Sequence, residues 1–514
     1  MIKRLLILLI LLIAVPCFGA TIYIDPTASG NNDGTTPTHA FESWTGVTGG
    51  AGFVRGNTYL QKCGTTEEIT LSITTAASDE ETIIISAYNA DGTSEIGKEV
   101  FGENCSGGLA KPIITDSDQV DKAIAISTSY IELNSIQVKL GATTIFANGD
   151  YNTYKYLRVM GGIGGLRIGT ESSTDNNYVG YNYLYGDDPV PEDANDLDGI
   201  QFGGYTDYST AEYNVVNNYC HSGIAISNRG ADHNEVRYNS IYSDNDCMDQ
   251  FLTANGTYNN LHHNYGFDTG VIQVYNASYN NIYSNVMDGF ANNPYNRNNS
   301  RIAFHPLASG DYITYNNIFN NTIYDRRDST GTGYQCIQLL GNIAAAGVIE
   351  DNVIANNICL NFDTTSVIFY VLDTQDKIDN SNLWNNNLAY GWTGTYVAQI
   401  SNPATNNYVD ITDQGSTYFN SYGSASGNLD SDPGLNNPGA AEFWPSSSAS
   451  AVYQTGYDIG APYDTLLLST SDFTASPPLV NTDQFANDYI GAYGLVGAAK
   501  SYPFQGAAGN FKYN

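Results

Sequence analysis

Short β-type runs in the middle of the chain carry aspartate and histidine side chains at a regular interval. The runs begin at residues 198, 222, 246 and 270, so the interval is 24 residues. A period of this size is typical of a solenoid, whose successive coils stack about 4.8 Å apart. Such stacking would hold Asp198 and Asp246 roughly 9.6 Å apart, near the upper limit for the two carboxyl groups of an inverting glycosidase. Two carboxylates at that spacing would suit acid–base hydrolysis of a glycosidic bond, and His221 falls between them in the sequence.

The direction of the two carboxylates depends on where the strands begin. Side chains alternate between the two faces of a strand. Asp198 and Asp246 precede the apolar Ile200 and Met248 by two residues, so a regular strand would turn both carboxylates toward the core. They reach solvent only if the turn, rather than the strand, contains them.

Scarce basic residues collect in the same repeats and are the second group of candidates. No lysine lies between Lys155 and Lys377, so a lyase site in the central coils would use arginine or histidine to remove a proton beside a uronate carboxylate. Arginines near the longest predicted loop insertion could bind that carboxylate through the bidentate guanidinium fork. We predict catalytic roles for Asp198, His221, Asp246, Arg297 and Arg301, and substrate binding by Arg229 and His305.

Four aspartates close to the repeated runs are candidates for a calcium site. Calcium takes six to eight oxygen ligands from carboxylates, carbonyl groups and water, and the 24-residue columns would bring carboxylates of neighbouring coils into register. The alternative is that these are acidic turn residues facing solvent, and the sequence leaves both open. The candidate ligands are Asp196, Asp244, Asp249 and Asp268.

The elements that must position these side chains are predicted to be the coils of an all-β solenoid. Alternating strands at 129–133 and 154–159 begin the series, and asparagines four or five residues apart recur in each coil from residue 176 onward. Asn tolerates left-handed backbone angles, and its amides can form ladders along a stack. These asparagines are therefore predicted to be structural and to mark the corners of the coils.

Composition divides the chain into four predicted segments. Residues 1–20 combine a positively charged start with an apolar run too short to span a bilayer, which is typical of a secretory leader. Residues 21–125 are predicted to form an N-terminal cap with the first strands, because an uncapped solenoid would expose its core and strand edges. Residues 126–400 are predicted to form the β-helix, and residues 401–514 a C-terminal cap or appended module.

Charge and cysteine content are compatible with the export that the leader predicts. The formal net charge is −33, from 20 basic and 53 acidic residues, and such a surface repels nucleic acid and anionic membranes. No second apolar run is long enough to cross a membrane. We expect a secreted, monomeric protein of the bacterial exterior or periplasm. Cys63 and Cys105 are predicted to pair, whereas Cys220 and Cys247 are predicted to be buried and too far apart to bond.

The coils with asparagine corners resemble the right-handed parallel β-helix proteins of the pectate-lyase-like group. The opening TIYIDPTASGNNDGTTP (residues 21–37) resembles the start of exported bacterial members, and DYIGAYG (residues 488–494) is similar to their common ending. The resemblance covers nearly the whole chain after the leader and implies a right-handed parallel β-helix. Lyases, hydrolases, epimerases and surface adhesins share this fold.

Three shorter strings resemble the catalytic segments of polygalacturonase-type hydrolases. Asp198-Gly199-Ile200 and Asn245-Asp246-Cys247-Met248 resemble the strings that carry that family's catalytic aspartates, and His221 before Ser222-Gly223-Ile224 is similar to its His-Gly-Ile string with one residue inserted.

The sequence thus predicts a secreted β-helix protein that binds and cleaves an extended polysaccharide, as a lyase or a glycoside hydrolase, with calcium as a candidate cofactor. The rival interpretation is a non-catalytic surface or adhesive β-helix, and convergence of Asp, His and Arg side chains in one groove would favour the enzyme.

Overall fold

The structure is a computed structural model of the 514-residue chain. Its regular structure is almost entirely β, in three long sheets around one core. It describes residues 19–29, 32–49, 52–74, 80–98, 103–116, 122–139, 143–161, 164–169, 173–186, 198–227, 230–243, 248, 250–290, 300–306, 310–325, 335–340, 347–360, 369–372, 381–385, 387–390, 398–402, 405–409, 425–426, 432, 435–437, 442–445, 467–468 and 480–481.

Each central coil contributes one strand in turn to three sheets, called sheet 1, sheet 2 and sheet 3. Sheet 1 contains β4 (Leu71–Ile73), β7 (Lys122–Ile126), β10 (Thr143–Ala147), β13 (Gly164–Ile168), β17 (Asp198–Phe202), β21 (Ser222–Ile226), β24 (Gln250–Thr257), β27 (Val271–Ser278), β30 (Ser300–Phe304), β31 (Tyr312–Thr314), β34 (Gln335–Leu340), β35 (Val348–Glu350), β38 (Phe369–Leu372), β41 (Ala398–Asn402) and β42 (Thr405–Val409).

Sheet 2 begins nearest the N-terminus. It contains β1 (Thr21–Ile24), β2 (Thr58–Lys62), β5 (Ile83–Tyr88), β8 (Ile131–Asn134), β11 (Thr153–Lys155), β15 (Tyr178–Gly180), β19 (Thr210–Glu212), β22 (Glu235–Arg237), β25 (Asn260–His262), β28 (Asn281–Tyr283), β32 (Asn317–Phe319), β36 (Val353–Ala355), β39 (Leu383–Asn385) and β43 (Ala425–Ser426).

Sheet 3 completes each coil. It contains β3 (Thr66–Glu68), β6 (Ile113–Thr115), β9 (Gln137–Lys139), β12 (Arg158–Met160), β16 (Tyr183–Tyr185), β20 (Val215–Asn217), β23 (Ser240–Tyr242), β26 (Tyr265–Thr269), β29 (Val286–Phe290), β33 (Thr322–Tyr324), β37 (Ile358–Leu360) and β40 (Leu388–Tyr390). The remaining described strands are β14 (Thr174–Asp175) paired with β18 (Thr206–Asp207), β44 (Leu435–Asn437) with β45 (Glu442–Pro445), and β46 (Leu467–Leu468) with β47 (Val480–Asn481).

Strand pairing identifies the architecture as a right-handed parallel β-helix. Within the described parts of sheets 1 to 3, neighbouring strands run parallel, apart from the antiparallel pair β41 and β42. Crossover connections between parallel strands of one sheet are right-handed as a rule. The predicted fold class is therefore confirmed.

Aliphatic columns on the inner faces of the sheets form the core. Because strands of successive coils pair in register, an inward side chain lies directly above its equivalent in the coil below. Removing one such aliphatic side chain from water contributes about 1.5–3 kcal/mol. The central column of sheet 1 consists of Ile200, Ile224, Leu252, Ile272, Ile302 and Ile337, each at most 1% exposed.

Asparagine ladders fix two of the three corners, as predicted. Corner 1 joins sheet 1 to sheet 2, corner 2 joins sheet 2 to sheet 3, and corner 3 joins sheet 3 to the next coil. At corners 1 and 2 a buried side-chain oxygen accepts the backbone N–H of its equivalent one coil earlier. The corner 1 ladder is Asn152, Asn177, Ser209, Asn234, Asn259, Asn280, Asn316, Asn352 and Asn382. The corner 2 ladder is Asn182, Asn214, Asn239, Asn264, Asn285, Asn321, Asn357 and Asn387.

The residue that precedes a ladder side chain turns the chain and has a left-handed backbone in the coils from Tyr151 to Asn356. These residues have φ between 52° and 59°, which costs most non-glycine residues about 1 kcal/mol. At corner 1 they are Tyr151, Asn176, Tyr208, His233, Tyr258, Tyr279, Tyr315 and Asp351, and at corner 2 Tyr181, Tyr213, Tyr238, His263, Ser284, Asn320 and Asn356.

The N-terminal end of the core is covered by a short helix, α1 (Trp44–Thr48). Ser43 caps it by accepting the backbone N–H of Thr45. Trp44 is fully buried, and its indole N–H donates to Gln61 Oε1 at 2.8 Å. Glu67 Oε1 accepts the Trp44 backbone N–H at 2.8 Å, and burial raises the pKa of that carboxyl. The helix thus closes the first coils, with its first backbone N–H groups and the Trp44 indole paired.

Register corrects the 24-residue columns predicted from the sequence. Ser222 pairs with Gln250 rather than with Asp246, because the connection after β23 is longer than the one after β20. Gln250 then pairs with Val271. Measured between ladder asparagines at corner 2, coils range from 21 to 36 residues. The third predicted repeat was therefore displaced by four residues, and the column of Asp198 and Ser222 continues at Gln250.

Two disulfides lie wholly within the described residues. Cys63 bonds Cys105, as predicted, and Cys336 bonds Cys359 within one coil. Cys220 is also disulfide-bonded, with a partner outside the described residues, so the prediction that it stays unbonded is wrong.

Strands β1 to β6, which lie within the predicted N-terminal segment 21–125, already belong to sheets 1 to 3. Residues 1–18 of the predicted leader and most of residues 401–514 lie outside the described residues. In the described part of the chain, no helix is long and apolar enough to cross a membrane.

Candidate functional site

Two glycines turn polar side chains onto the outer face of sheet 1. A Cβ added to Gly199 would lie 2.3 Å from Val216 Cγ1, and one added to Gly223 would lie 2.3 Å from Ile241 Cγ2, both in the core. Positions 199 and 223 therefore point inward. Ile200 also points into the core, so the regular alternation of side chains is interrupted at Gly199. Asp198 is thereby turned to the outer face, where its carboxylate contacts His221.

Asp198 and His221 form a hydrogen-bonded pair on this face. Asp198 Oδ1 lies 2.8 Å from His221 Nδ1. The aspartate side chain is 3% exposed and the histidine side chain 32% exposed. The carboxylate thus lies behind the ring and accepts from Nδ1–H, which leaves the lone pair of a neutral imidazole on Nε2. This arrangement suits His221 for proton transfer.

The next two coils add an amide and a phenol to the pair. Gln250 Nε2 lies 3.4 Å from His221 Nε2 and donates to Tyr275 Oη at 3.1 Å. Gln250 Oε1 accepts from Ser222 Oγ at 3.0 Å and from Thr253 Oγ1, so the amide is held from below. Asp198, His221, Gln250 and Tyr275 therefore form one polar row across β17, β21, β24 and β27, which we call the His221 site.

A second imidazole lies further along the same face. His305 follows β30 and is half-buried, and the Gln273 amide donates to its Nδ1 at 3.3 Å. Burial lowers the pKa of His305, which keeps the ring neutral near pH 7. Gln273 belongs to an outward column that pairs, coil by coil, as Gln201, Ala225, Thr253, Gln273, Ala303 and Gln338.

The remaining predicted site residues are distributed unevenly. Arg301 lies in β30 and its side chain is fully buried. It is therefore not exposed for binding a substrate carboxylate at the surface. Asp268 lies in β26, half-buried, with φ of 49°. The other six lie outside the described residues: Asp196, Arg229, Asp244, Asp246, Asp249 and Arg297.

The described residues offer no ready calcium site. Among them, no three His, Cys, Asp or Glu side chains converge in a way that could hold a metal ion, and calcium needs six to eight oxygen ligands. Asp268 is the single proposed ligand that the structure describes. Asp268 alone cannot supply that set of ligands, so no chemical step is assigned to the ion.

A separate charged network covers the outer face of sheet 2. Arg237 donates to Glu212 Oε2 and to Glu235 Oε1, both at 2.7 Å. His262 Nε2 lies 3.0 Å from the same Glu235 oxygen, and Tyr178 donates to Glu212 at 2.8 Å. Burial lowers the pKa of His262. Burial acts to raise the pKa of Glu235, but bonding to His262 and Arg237 holds it below its usual range. Because Arg237 lies between the two carboxylates, the network is an ion-pair ladder rather than a cation site.

Sequence reasoning missed Gln250 and Tyr275. The fixed 24-residue spacing placed Asp246 and Asp249 where the chain places Gln250 and Thr253. A usable signal was present, because Leu252 and Ala254 repeat the aliphatic alternation of Ile224 and Ile226.

Comparison with known proteins gives fold-level similarity. No family model matches the chain, and no curated protein sequence matches it. Similar solved structures include the catalytic unit of a GH87 α-1,3-glucanase from Streptomyces thermodiastaticus (TM-score 0.49, 14% identity, 81% of this chain and 69% of that one). They also include a PL6-family alginate lyase, AlyGC (TM-score 0.48, 12%, 94% and 60%), and an alginate lyase from a Paenibacillus species (0.39, 10%, 65% and 94%). At these values none of them assigns a residue role or an activity to this chain.

Proposed function

We propose that the protein is an exported, carbohydrate-active β-helix enzyme that binds an extended polysaccharide along the outer face of sheet 1 and cleaves it at the His221 site. The observation that carries the proposal is the Asp198–His221 bond, in which a buried carboxylate orients a partly exposed imidazole. A buried acceptor behind a histidine fixes its tautomer and leaves the outer nitrogen for proton transfer. The elongated face of sheet 1 suits a polymer better than a small ligand.

We further propose that the reaction is β-elimination on a uronate-containing chain. Asp198 is enclosed behind His221, so it does not itself reach a glycosidic oxygen. One base is enough for elimination, in which His221 Nε2 removes the proton beside the substrate carboxylate. The electron pair of that C–H bond forms a C=C double bond, and the C–O bond of the glycosidic link breaks with its electron pair leaving on the oxygen. Tyr275 uses an oxygen lone pair in its bond with Gln250, and its hydroxyl group is the candidate donor to the leaving oxygen.

The hydrolase alternative rested on Asp198 and Asp246 as a carboxylate pair in one column. The register assigns that column to Ser222 and Gln250 instead, which removes the geometric reason for the pair. The non-catalytic adhesive alternative has no need for a half-exposed histidine with an oriented tautomer.

The test is an assay of the full chain on a panel of uronate and neutral polysaccharides. Unsaturated products, seen by their ultraviolet absorbance, are expected from a uronate polymer. His221→Ala is expected to lower the rate by roughly 10²–10⁴-fold, the usual contribution of a general base. His39→Gln, which removes an exposed imidazole in the N-terminal cap, is the matched control and should retain full activity. New reducing ends without that absorbance would show hydrolysis, and no product on any polymer would favour the adhesive.

Calcium remains a proposal with its own test. If Asp196, Asp244, Asp249 and Asp268 bind the ion, chelation should lower the melting temperature, since a ligand that binds the folded state stabilises it. An unchanged melting temperature in excess chelator, compared with excess calcium, would count against a structural ion.

A further inference from the structure

Corner 1 carries a continuous stack of aromatic rings on the outside of the β-helix. We call Tyr208, His233, Tyr258, Tyr279 and Tyr315 the corner 1 strip. Successive ring centroids are 4.8, 5.0, 5.1 and 4.9 Å apart, and the rings are within 21° of parallel. The strip therefore runs along the axis of the solenoid, one ring per coil.

The rings of the strip are exposed to solvent. Tyr208 is 57% exposed, Tyr258 48% and Tyr315 45%. Two further tyrosines at the same corner, Tyr205 and Tyr312, are 63% and 53% exposed. A contiguous exposed aromatic surface of this kind is uncommon on a soluble protein and marks an interaction site.

The turn itself does not require aromatic residues. Asn176 and Asp351 occupy the same corner position below and above the strip, with φ of 57° and 56°. Asn and Asp tolerate the left-handed region better than bulky residues do. Ring stacking contributes about 0.5–1.5 kcal/mol per pair, but that gain does not explain why the rings remain in water.

Carboxylates flank the strip. Asp207 and Asp232 precede Tyr208 and His233, and one oxygen of each accepts a backbone N–H of the next coil, from Asp232 and Thr257 respectively. One coil below, burial and the nearby Asp207 and Asp150 carboxylates raise the pKa of Asp175, so this edge already concentrates negative charge. An anionic polymer is repelled there, as is a second copy of a chain with net charge −33. Carboxylates and phenols are suited instead to hydroxyl groups.

We propose that the corner 1 strip binds a neutral polysaccharide chain lying along the solenoid axis. Because the rings cover one another's faces, the strip presents a row of ring edges and hydroxyl groups, which favours a polymer over a single sugar. The strip and the His221 site lie at opposite ends of the sheet 1 strands. In β24, for example, Gln250 of the His221 site is the first residue, and Thr257, which precedes Tyr258 of the strip, is the last. The strip is thus a second surface, separate from the proposed active site and from its uronate substrate.

The test is affinity electrophoresis of the full chain in native gels that contain soluble β-glucan, xylan or galactomannan, with polygalacturonate as the anionic comparison. At least one neutral polymer is expected to retard the protein. The double variant Tyr258→Asn/Tyr279→Asn should weaken binding at least about tenfold. Asparagine is chosen because Asn176 occupies the equivalent corner position with the same backbone conformation. Tyr213→Asn at corner 2 is the matched control and should bind as the wild type does.

Two further variants separate the possible failures. Tyr258→Phe/Tyr279→Phe keeps the stacked rings and loses the hydroxyl groups, so weaker binding by this folded variant supports the proposal even if the Asn variant unfolds. His221→Ala should be retarded normally, because the proposed active site is elsewhere. No retardation by any neutral polymer, retardation by polygalacturonate alone, or equal retardation of wild type and both double variants would overturn the proposal.

Discussion

Corners 1 and 2 turn the chain with the same backbone conformation but differ in how far their aromatic side chains are exposed to solvent. At both, a left-handed residue is followed by a ladder side chain whose oxygen accepts an N–H from the coil below. At corner 2 the aromatic residues are covered: Tyr213 and Tyr238 are half-buried and His263 is fully buried. At corner 1 Tyr258 and Tyr279 are 48% and 43% exposed.

The difference separates two uses of one motif. At corner 2, burial and stacking together account for aromatic residues in a strained conformation. At corner 1 the rings are exposed, so burial does not explain them. The five-ring strip lies between Asn176 and Asp351, and a separate stacked pair, Tyr130 and Tyr151, lies below Asn176. The inner ladders therefore hold the fold, and the outer rings of corner 1 are available for binding.

The largest expected effect is loss of a ladder amide. Asn285→Ala removes the acceptor of the Asn264 N–H and the donor to Leu261 O. Buried groups left unpaired cost about 1–3 kcal/mol each, so we expect a loss of roughly 3 kcal/mol in the free energy of unfolding, measured by urea denaturation.

The equivalent change at corner 1, Asn280→Ala, tests whether the inner ladders are alike. It removes the acceptor of the Asn259 N–H and the donor to Gly256 O. We expect the two losses to agree within about 1 kcal/mol. A much smaller loss for Asn280→Ala would show that corner 1 is not held by its ladder.

A smaller effect is expected from the rings themselves. Tyr213→Asn loses stacking on Tyr181 and Tyr238, at 4.9 and 5.2 Å, together with partial burial. We expect it to cost about 1–2 kcal/mol. Tyr258→Asn loses comparable stacking but little burial, and Asn relieves the left-handed strain, so its cost should be below about 1 kcal/mol. Equal costs at the two corners would contradict the distinction drawn between them.

The smallest effect is a pH dependence that belongs to corner 2, where His262 packs against Tyr238 and His263. Burial holds the pKa of His262 below its ordinary value of 6.5, so folding favours the neutral ring. The resulting stability is fully present above pH 6.5 and is lost as the pH falls through the folded-state pKa.

Glu235 adds a second loss below its ordinary pKa of 4.5, because its folded-state pKa is also lowered. Melting temperatures measured from pH 8 to pH 4 should therefore fall on the acid side. In His262→Gln the loss that begins near pH 6.5 should be weaker. An identical acid profile for this variant would exclude His262 as the cause.

The sequence predicted the fold well because repetition is a property of the chain itself. Alternating aliphatic residues and recurring asparagines were enough to predict stacked coils with amide corners. Strand positions in the third coil were not predictable from a fixed period, since the longer connection before Gln250 shifts the register by four residues. The run beginning at Asp246 matched the spacing by coincidence.

The His221 site was predictable in part. Asp198 and His221 were identified, and the structure brings them together at 2.8 Å. Gln250 and Tyr275 were not found, because their contact with His221 depends on coils of unequal length. The outward direction of Asp198 depends on Gly199, whose inward position follows from close packing against Val216, a contact that sequence alternation alone does not reveal.

The ladder at corner 2 has a consequence for how such a protein can change. Each described coil from β15 to β37 turns from sheet 2 to sheet 3 through two residues, a left-handed residue and an asparagine, although coil length varies from 21 to 36 residues. The ladder bonds hold equivalent residues of successive coils in register. Extra residues therefore lie at the other two corners, and the strands of the following coils keep their positions. An insertion can therefore lengthen a loop in one coil without moving the strands of neighbouring coils. New surface loops can be added in this way while the arrangement of the three sheets stays the same.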